Sequence, residues 1–214
     1  MEARHEFEKV RGKVLEMGRL AKSALKMCLD GLMERDISLC DKVSGVEREA
    51  DFLNLEVEDL CLDALSARRL SGRDFRFMAT MMKVSERFER MTDLTVKIAD
   101  LSRRGLPKPL LKPASDLRSM GSTAQEMIDI TLHAISTDAT VSTEELEGRD
   151  DVIDDLYEDL YGKLISCVHQ NPQCFDDAVL LLIIAVTLER IGDLACKVGN
   201  RIVYIAEGKR VWMG

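Results

Sequence analysis

Residues 189–194 read Glu189-Arg190-Ile191-Gly192-Asp193-Leu194, and the same pattern stands 100 residues earlier as Glu89-Arg90-Met91-Thr92-Asp93-Leu94. Each copy places two carboxylates four residues apart, so that both point to the same face of a helix. Neighbouring anions on one helix face repel each other by roughly 0.2–0.5 kcal/mol. Two copies of such a pair therefore indicate a bound cation, a duplicated ancestor, or both.

The repeat extends beyond the hexamer to whole predicted helices. Met17-Gly18 matches Met120-Gly121, and Leu29 matches Leu132, both at an offset of 103 residues. A period near one hundred residues is too long for a solenoid array and indicates a duplicated domain. The repeated unit is predicted to be a bundle of three helices.

The composition favours long amphipathic helices. Charged residues make up 32% and aromatic residues only 5% of the 214 residues, a profile typical of all-α proteins. Apolar residues recur at helical spacing, and few prolines interrupt them. We therefore predict an all-α fold of two tandem three-helix bundles. Four of the six predicted helices cover about Phe7–Arg35, Ser71–Arg104, Ala114–Thr137 and Phe175–Glu207. The second is predicted from Ser38 or Asp41 to Ser71, and the fifth is capped by Ser142 or Thr143 and reaches about His169.

The predicted boundary between the two bundles lies at the midpoint of the chain. Leu106-Pro107-Lys108-Pro109 and Pro113 form its one proline-rich connector. We assign residues 1–106 to the first bundle and residues 107–214 to the second. Ser71 with Asp74 resembles a capping box, and Gly72 is predicted to end the second helix.

Charge and hydropathy exclude several classes of partner. The formal net charge of −8 argues against nucleic acid, because a phosphate-backbone binder should be basic. The longest apolar run, Ala178–Leu188, is far shorter than the roughly 20 residues that cross a membrane, so contact with a membrane would be peripheral and through partners. The charged amino terminus, Met1–Glu6, predicts no signal peptide and a cytoplasmic location. The six cysteines form no C-x-x-C pair, and we expect reduced thiols.

Four acidic pairs share the i, i+4 spacing, one on the second and one on the third helix of each half. Neighbouring antiparallel helices could bring two pairs together as an oxygen-rich site for Mg²⁺, Mn²⁺, Ca²⁺ or iron. The alternative is a solvated acidic helix face, because chance matches such as Asp151 with Asp155 also fit in a chain with 38 acidic residues. The candidate ligands are Glu47, Asp51, Glu89, Asp93, Asp150, Asp154, Glu189 and Asp193.

No motif for nucleotide hydrolysis or triad catalysis is present. The sequence contains no P-loop, glycine-rich nucleotide fingerprint, G-x-S-x-G or H-E-x-x-H. We therefore predict that the protein is not an enzyme. The enzymatic alternative is a ferritin-like di-iron oxidase, a class that needs Glu-x-x-His pairs; only Glu2-Ala3-Arg4-His5 has that spacing.

The two repeats, with E-R-(I/M)-x-D in each third helix, resemble the PhoU family of phosphate-uptake regulators over essentially the whole chain. The resemblance implies two similar three-helix bundles whose acidic motifs hold clusters of metal ions, reported with iron or zinc. It assigns the ligand role to the eight carboxylates above, with manganese or magnesium as other candidate ions. Family members commonly have His after the motif aspartate and Asn shortly after it. Here Leu94 and Leu194 stand at the His position and Lys97 and Lys197 at the Asn position.

The resemblance also implies a function. Family members restrain phosphate uptake and signalling by binding the ATPase subunit of the phosphate ABC transporter and, where one exists, a sensor histidine kinase. We therefore expect a cytoplasmic adaptor, and we expect it to form a homodimer. A related helical module that regulates a different transporter is the alternative within the same class.

Overall fold

The structure, a computed structural model, describes residues 2–67, 70, 72–104 and 114–209, with the side chains of residues 2–4 left out of the description. Six long α-helices make up nearly all of this part of the chain, and a single 3₁₀ turn precedes the last of them. The all-α prediction is confirmed. The helices are α1 (Glu2–Glu34), α2 (Ile37–Ala67), α3 (Gly72–Arg103), α4 (Ala114–Thr137), α5 (Thr143–Gln170) and α6 (Phe175–Glu207), with the 3₁₀ turn at Pro172–Cys174.

Local sequence signals set the ends of the second-half helices. The Ser142 side chain accepts a hydrogen bond from the Glu145 backbone N–H and so caps α5. Asn171 ends α5 in an extended conformation, and Pro172 then opens the 3₁₀ turn. At the end of α6, Gly208 adopts a φ of 71°, the left-handed conformation that glycine adopts without steric cost.

The end of α2 differs from the prediction, whereas the start of α3 agrees with the predicted range to within one residue. Gly72 was expected to terminate the second helix, but it is the first residue of α3, and α2 already ends at Ala67. The proposed cap residue Ser71 and the connector at residues 105–113 lie outside the described residues. The division at residues 106 and 107 therefore stays a prediction.

Each half is a three-helix bundle in which every helix contacts the other two. The first bundle consists of α1, α2 and α3, and the second consists of α4, α5 and α6. The halves meet through two pairs of helices, α1 with α4 and α3 with α6. Among the described residues, α2 and α5 contact only helices of their own half, so each presents an outward face.

The helices α3 and α6 contain the most buried residues, and each packs both inside its own bundle and across the seam. Phe88 and Met91 of α3 and Ile191 of α6 are fully buried. Buried hydroxyl groups on these helices donate to carbonyls of their own helix, as Thr92 Oγ1 does to Glu89 at 2.6 Å. The burial of these polar groups is therefore matched by hydrogen bonds. None of the described helices has the length and apolar character that crossing a lipid bilayer requires.

Candidate functional site: two acidic clusters

The four predicted ligands of the first half lie on facing sides of α2 and α3. Burial raises the pKa of Glu47, and the neighbouring charges of Asp51 and Asp93 raise it further. Burial likewise raises the pKa of Glu89, followed by the charges of Asp93 and Asp51. The pKa of each glutamate is raised in part by an aspartate on the opposite helix, so the structure brings these two pairs together in one acidic cluster.

The second half repeats this arrangement between α5 and α6. Burial raises the pKa of Asp150 to about 6, with further contributions from Asp154 and from Asp193 of α6. Burial also raises the pKa of Glu189, and Asp193 and Asp154 add to the effect. The pKa of Asp154 is raised by burial first and then by Asp151 and Asp193. All four predicted ligands of this half therefore belong to a second acidic cluster.

The two clusters are related by the repeat but are not identical. Gly192 stands where the first half has Thr92, and a Cβ at Gly192 would lie 3.2 Å from Asp150 Oδ1 and 2.9 Å from Ile153 Cδ1. The missing side chain lets α5 approach α6 closely, which buries Asp150. The thiol of Cys196, at the position of Val96, donates to the Leu146 carbonyl at 3.9 Å. Its proximity to Asp150 also lowers the pKa of that carboxyl in part.

Sequence reasoning missed Gly192 and Cys196 as parts of the second cluster. Their signal was available at the offset of 100 residues, where Thr changes to Gly and Val changes to Cys. The effect of these two differences depends on which helix packs against α6 at this point. The sequence alone did not show that α5 lies close to Gly192 and Cys196.

A basic side chain from the same helix pairs with one aspartate in each cluster. Arg90 lies 3.1 Å from Asp93 Oδ2, and Lys197 lies 2.9 Å from Asp193 Oδ2. Lys197 occupies the position at which the resemblance to the PhoU family predicts Asn. These cations offset part of the repulsion within each cluster, although exposed pairs of this kind contribute at most about 1 kcal/mol.

The clusters bring carboxylates close together, but their side chains are not arranged as the ligands of a metal ion. Across the described part of the chain, no three His, Cys, Asp or Glu side chains are placed so that they could hold one metal ion. Charges influence each other over about 10 Å, whereas metal–oxygen bonds require about 2.0–2.6 Å. The donor chemistry, all carboxylate oxygen, fits a hard cation, but binding would require side chains to move and the Asp93 and Asp193 ion pairs to open.

Other candidates from the sequence do not join these clusters. Glu2, half of the Glu-x-x-His spacing, has its side chain outside the described residues. His133 lines a groove of about 460 Å³ between α1 and α4, together with Arg19, Lys22 and Lys26. This groove contains none of the eight predicted ligands, so the groove and the acidic clusters are separate features.

The thiols are poorly suited to nucleophilic chemistry. Five of the six cysteines are buried, and burial raises the pKa of each of these five, which disfavours the reactive thiolate. Cys167 alone is partly exposed among the six. The buried cysteines therefore act as small apolar core residues.

Comparison with known proteins identifies the repeat. The family model described as the PhoU domain matches the chain twice, at residues 14–102 and 117–202. A phosphate-specific transport system accessory protein PhoU homolog from Archaeoglobus fulgidus is 28% identical over 94% of this chain and 93% of its own length. A homolog of the same description from Aquifex aeolicus is 25% identical over 96% of this chain and 93% of its own length.

Two crystal structures share the fold. PhoU from Pseudomonas aeruginosa superimposes with a TM-score of 0.87 at 22% identity, covering 96% of this chain and 99% of that one. The phosphate transport system regulatory protein PhoU from Streptococcus pneumoniae also gives a TM-score of 0.87, at 20% identity, covering 99% of this chain and 100% of that one. The arrangement of two tandem bundles is thus the same in all three chains.

Proposed function

Because the chain belongs to the PhoU family, we propose that it is a cytoplasmic accessory protein that regulates phosphate uptake by binding a phosphate ABC transporter. The observation that carries the proposal is the double match of the family domain, which accounts for both bundles. Relatives described as accessory proteins of phosphate-specific transport align over more than nine-tenths of the chain. Full-length similarity favours a shared role for the whole protein.

The architecture supports an adaptor rather than an enzyme. Two bundles joined through α1, α3, α4 and α6 form a body whose outer helices, α2 and α5, are available to other proteins. Regulation in this proposal comes from binding a partner surface, and no chemical step on a substrate is required. The proposed partners are the ATPase subunit of the transporter and, where present, a sensor histidine kinase.

The direct test is co-purification from cells grown with abundant phosphate. An affinity-tagged chain should enrich the ATPase subunit of the phosphate transporter, and deletion of the gene should raise the initial rate of radiolabelled phosphate uptake. Cells carrying only the tag provide the background. Enrichment of another transporter's ATPase, with unchanged phosphate uptake on deletion, would instead support a related module for a different substrate.

We also propose that the two acidic clusters bind metal ions, with iron, zinc, manganese and magnesium as candidates. The support is the raised pKa of Glu47, Glu89, Asp150 and Glu189, which burial causes first and to which the repulsion of neighbouring carboxylates adds. A divalent cation would relieve this repulsion. The paired side chains of Arg90 and Lys197 would then turn towards solvent.

Metal analysis of protein purified without chelator tests this proposal. We expect bound metal that falls by about half in Asp193→Asn or in Asp93→Asn and disappears in the double variant. Asp63→Asn, an exposed substitution on α2 outside both clusters, is the matched control. Added Mn²⁺ or Zn²⁺ should also raise the melting temperature of the unsubstituted protein but not that of the double variant. Metal-free protein with no such shift would contradict the proposal.

The homodimer also remains a proposal. Sedimentation equilibrium should give about twice the chain mass of 24.1 kDa. A monomer at micromolar concentration would remove dimerisation from the proposed function without affecting the adaptor role.

A further inference from the structure

The outward face of α2 carries a row of exposed apolar side chains. Phe52 is 71% exposed, Leu55 is 59% exposed and Leu62 is 48% exposed. Their spacing of three and then seven residues places them along one side of the helix, over a length of about 15 Å. Large apolar side chains are rarely left so open in a row unless something covers them.

The second half of the chain provides an internal comparison for this face. At the offset of 103 residues, Phe52 corresponds to Asp155 and Leu55 corresponds to Glu158, both of which are exposed on α5. The repeat therefore folds with acidic residues at these two positions. The bundle therefore does not require apolar side chains at positions 52 and 55, whereas Leu62 keeps an exposed apolar counterpart in Ile165.

Acidic residues surround the apolar row. Between residues 47 and 66 the only basic residue is Arg48, whereas acidic residues flank the row along its whole length. Glu56 is already paired with Lys13 of α1 at 2.6 Å, and the others face solvent or the first acidic cluster. The exposed acidic residues nearest the row are Glu49, Glu58, Asp59 and Asp63.

We propose that the face of α2 formed by Phe52, Leu55 and Leu62 is the docking surface for a basic amphipathic helix of a partner protein. The apolar side of that helix would cover the row, and its lysine and arginine residues would pair with the flanking carboxylates. A second copy of this chain is disfavoured as the occupant, because two acidic faces would repel each other. The inference rests on the proposed adaptor function and names the surface through which it acts.

A photoreactive residue at position 62 tests the surface directly in living cells. Position 165 is the matched control, because Ile165 corresponds to Leu62 in the repeat and is similarly exposed, at 42% against 48%. We expect position 62 to cross-link at least tenfold more strongly than position 165. The cross-linked segment should have apolar residues at helical spacing and a net positive charge.

A double substitution on α2, with the residues that α5 carries at the matching positions, provides a second test of the surface. Phe52→Asp with Leu55→Glu copies the residues that α5 carries at the same positions, so the double variant should fold with an unchanged circular dichroism spectrum. In this variant the cross-link from position 62 should fall at least tenfold. A cross-link from position 62 that persists in the double variant would overturn the inference. So would a cross-link no stronger than that from position 165, or one that reaches an acidic segment or a second copy of this chain.

The outcomes separate this inference from the proposed function. If the double variant on α2 still co-purifies with the phosphate transporter while position 62 gives no specific cross-link, the adaptor function stands and the α2 surface is wrong. If position 62 reaches a basic amphipathic helix in a protein unrelated to phosphate transport or its sensor kinase, the surface stands and the proposed function is wrong.

Discussion

The side chain of Leu29 on α1 lies directly over Gly121 on α4, so closely that a Cβ added to Gly121 would come within 2.1 Å of Leu29 Cδ1. The relationship is reciprocal, because a Cβ added to Gly18 on α1 would come within 2.4 Å of Leu132 Cδ2 on α4. These four residues are the pairs matched at an offset of 103. The repeat therefore packs against itself, with each glycine receiving the leucine of the other half.

Gly121→Ala should destabilise the protein by about 1–3 kcal/mol, because the added methyl group must displace a buried leucine in a closely packed seam. Chemical denaturation monitored by circular dichroism measures this free energy of unfolding. Adding Leu29→Ala to Gly121→Ala should cost less than the sum of the single substitutions, because the smaller side chain makes room for the methyl group.

Gly148→Ala is the matched control for this prediction. Gly148 lies within α5 with no atom within 4 Å of an added Cβ. Alanine is favoured over glycine in a helix interior by about 0.5–1 kcal/mol, so this variant should be more stable. Equal effects at positions 121 and 148 would show that the seam is not closely packed.

The stability of the protein should depend on pH through Asp150. Its pKa in the folded protein is about 6, above the ordinary value of 3.8, so the folded state binds the proton more tightly between these values. The stability associated with this group is therefore present below about pH 4 and is lost as pH rises through 6. Asp150→Asn should be more stable than the unsubstituted protein at pH 7, by about 1 kcal/mol after allowance for partial solvent exposure.

Denaturation curves at several pH values measure this difference. It should shrink as pH falls from 7 and disappear near pH 4, where both proteins are uncharged at this position. Asp63→Asn, at an exposed position of α2, should leave the profile unchanged. A constant difference between Asp150→Asn and the unsubstituted protein at all pH values would contradict a raised pKa at Asp150.

Cys167 should be the first thiol to react with an alkylating reagent. It is the only one of the six cysteines that is not buried. Mass spectrometry of the native protein after brief treatment with N-ethylmaleimide should show one modification, at Cys167, and all six after unfolding. In Cys167→Ser the native protein should remain unmodified on the same timescale. Early modification of Cys196 would show that α5 and α6 separate readily around the second cluster.

Ser142→Ala should lower the stability by about 1 kcal/mol. The serine hydroxyl oxygen accepts from the Glu145 N–H at 3.2 Å, and alanine leaves this first-turn donor without its cap. Thermal unfolding measures the loss. Ser122→Ala, at an exposed position within α4, is the control and should cost no stability, because alanine favours a helix interior more than serine does.

The sequence determined the helices and their duplication, because both depend on local patterns. Apolar spacing gave α4 and α6 with their ends in place, and of the two predicted caps of α5, Ser142 and Thr143, the structure selects Ser142. The boundary between α2 and α3 was less well predicted. Glycine can end one helix or begin the next, so Gly72 does not by itself distinguish the two.

The tertiary structure alone decided which matched residues meet and what their environment does to them. Spacing placed Asp150 and Glu189 on helix faces, but the pKa of Asp150 depends on burial against α6, which Gly192 permits. Spacing likewise paired Gly18 with Gly121 in the alignment of the halves, but it could not show that each lies against a leucine from the other half. These properties depend on contacts between residues far apart in the chain, and a periodic pattern records only which face a side chain occupies, not what lies opposite it.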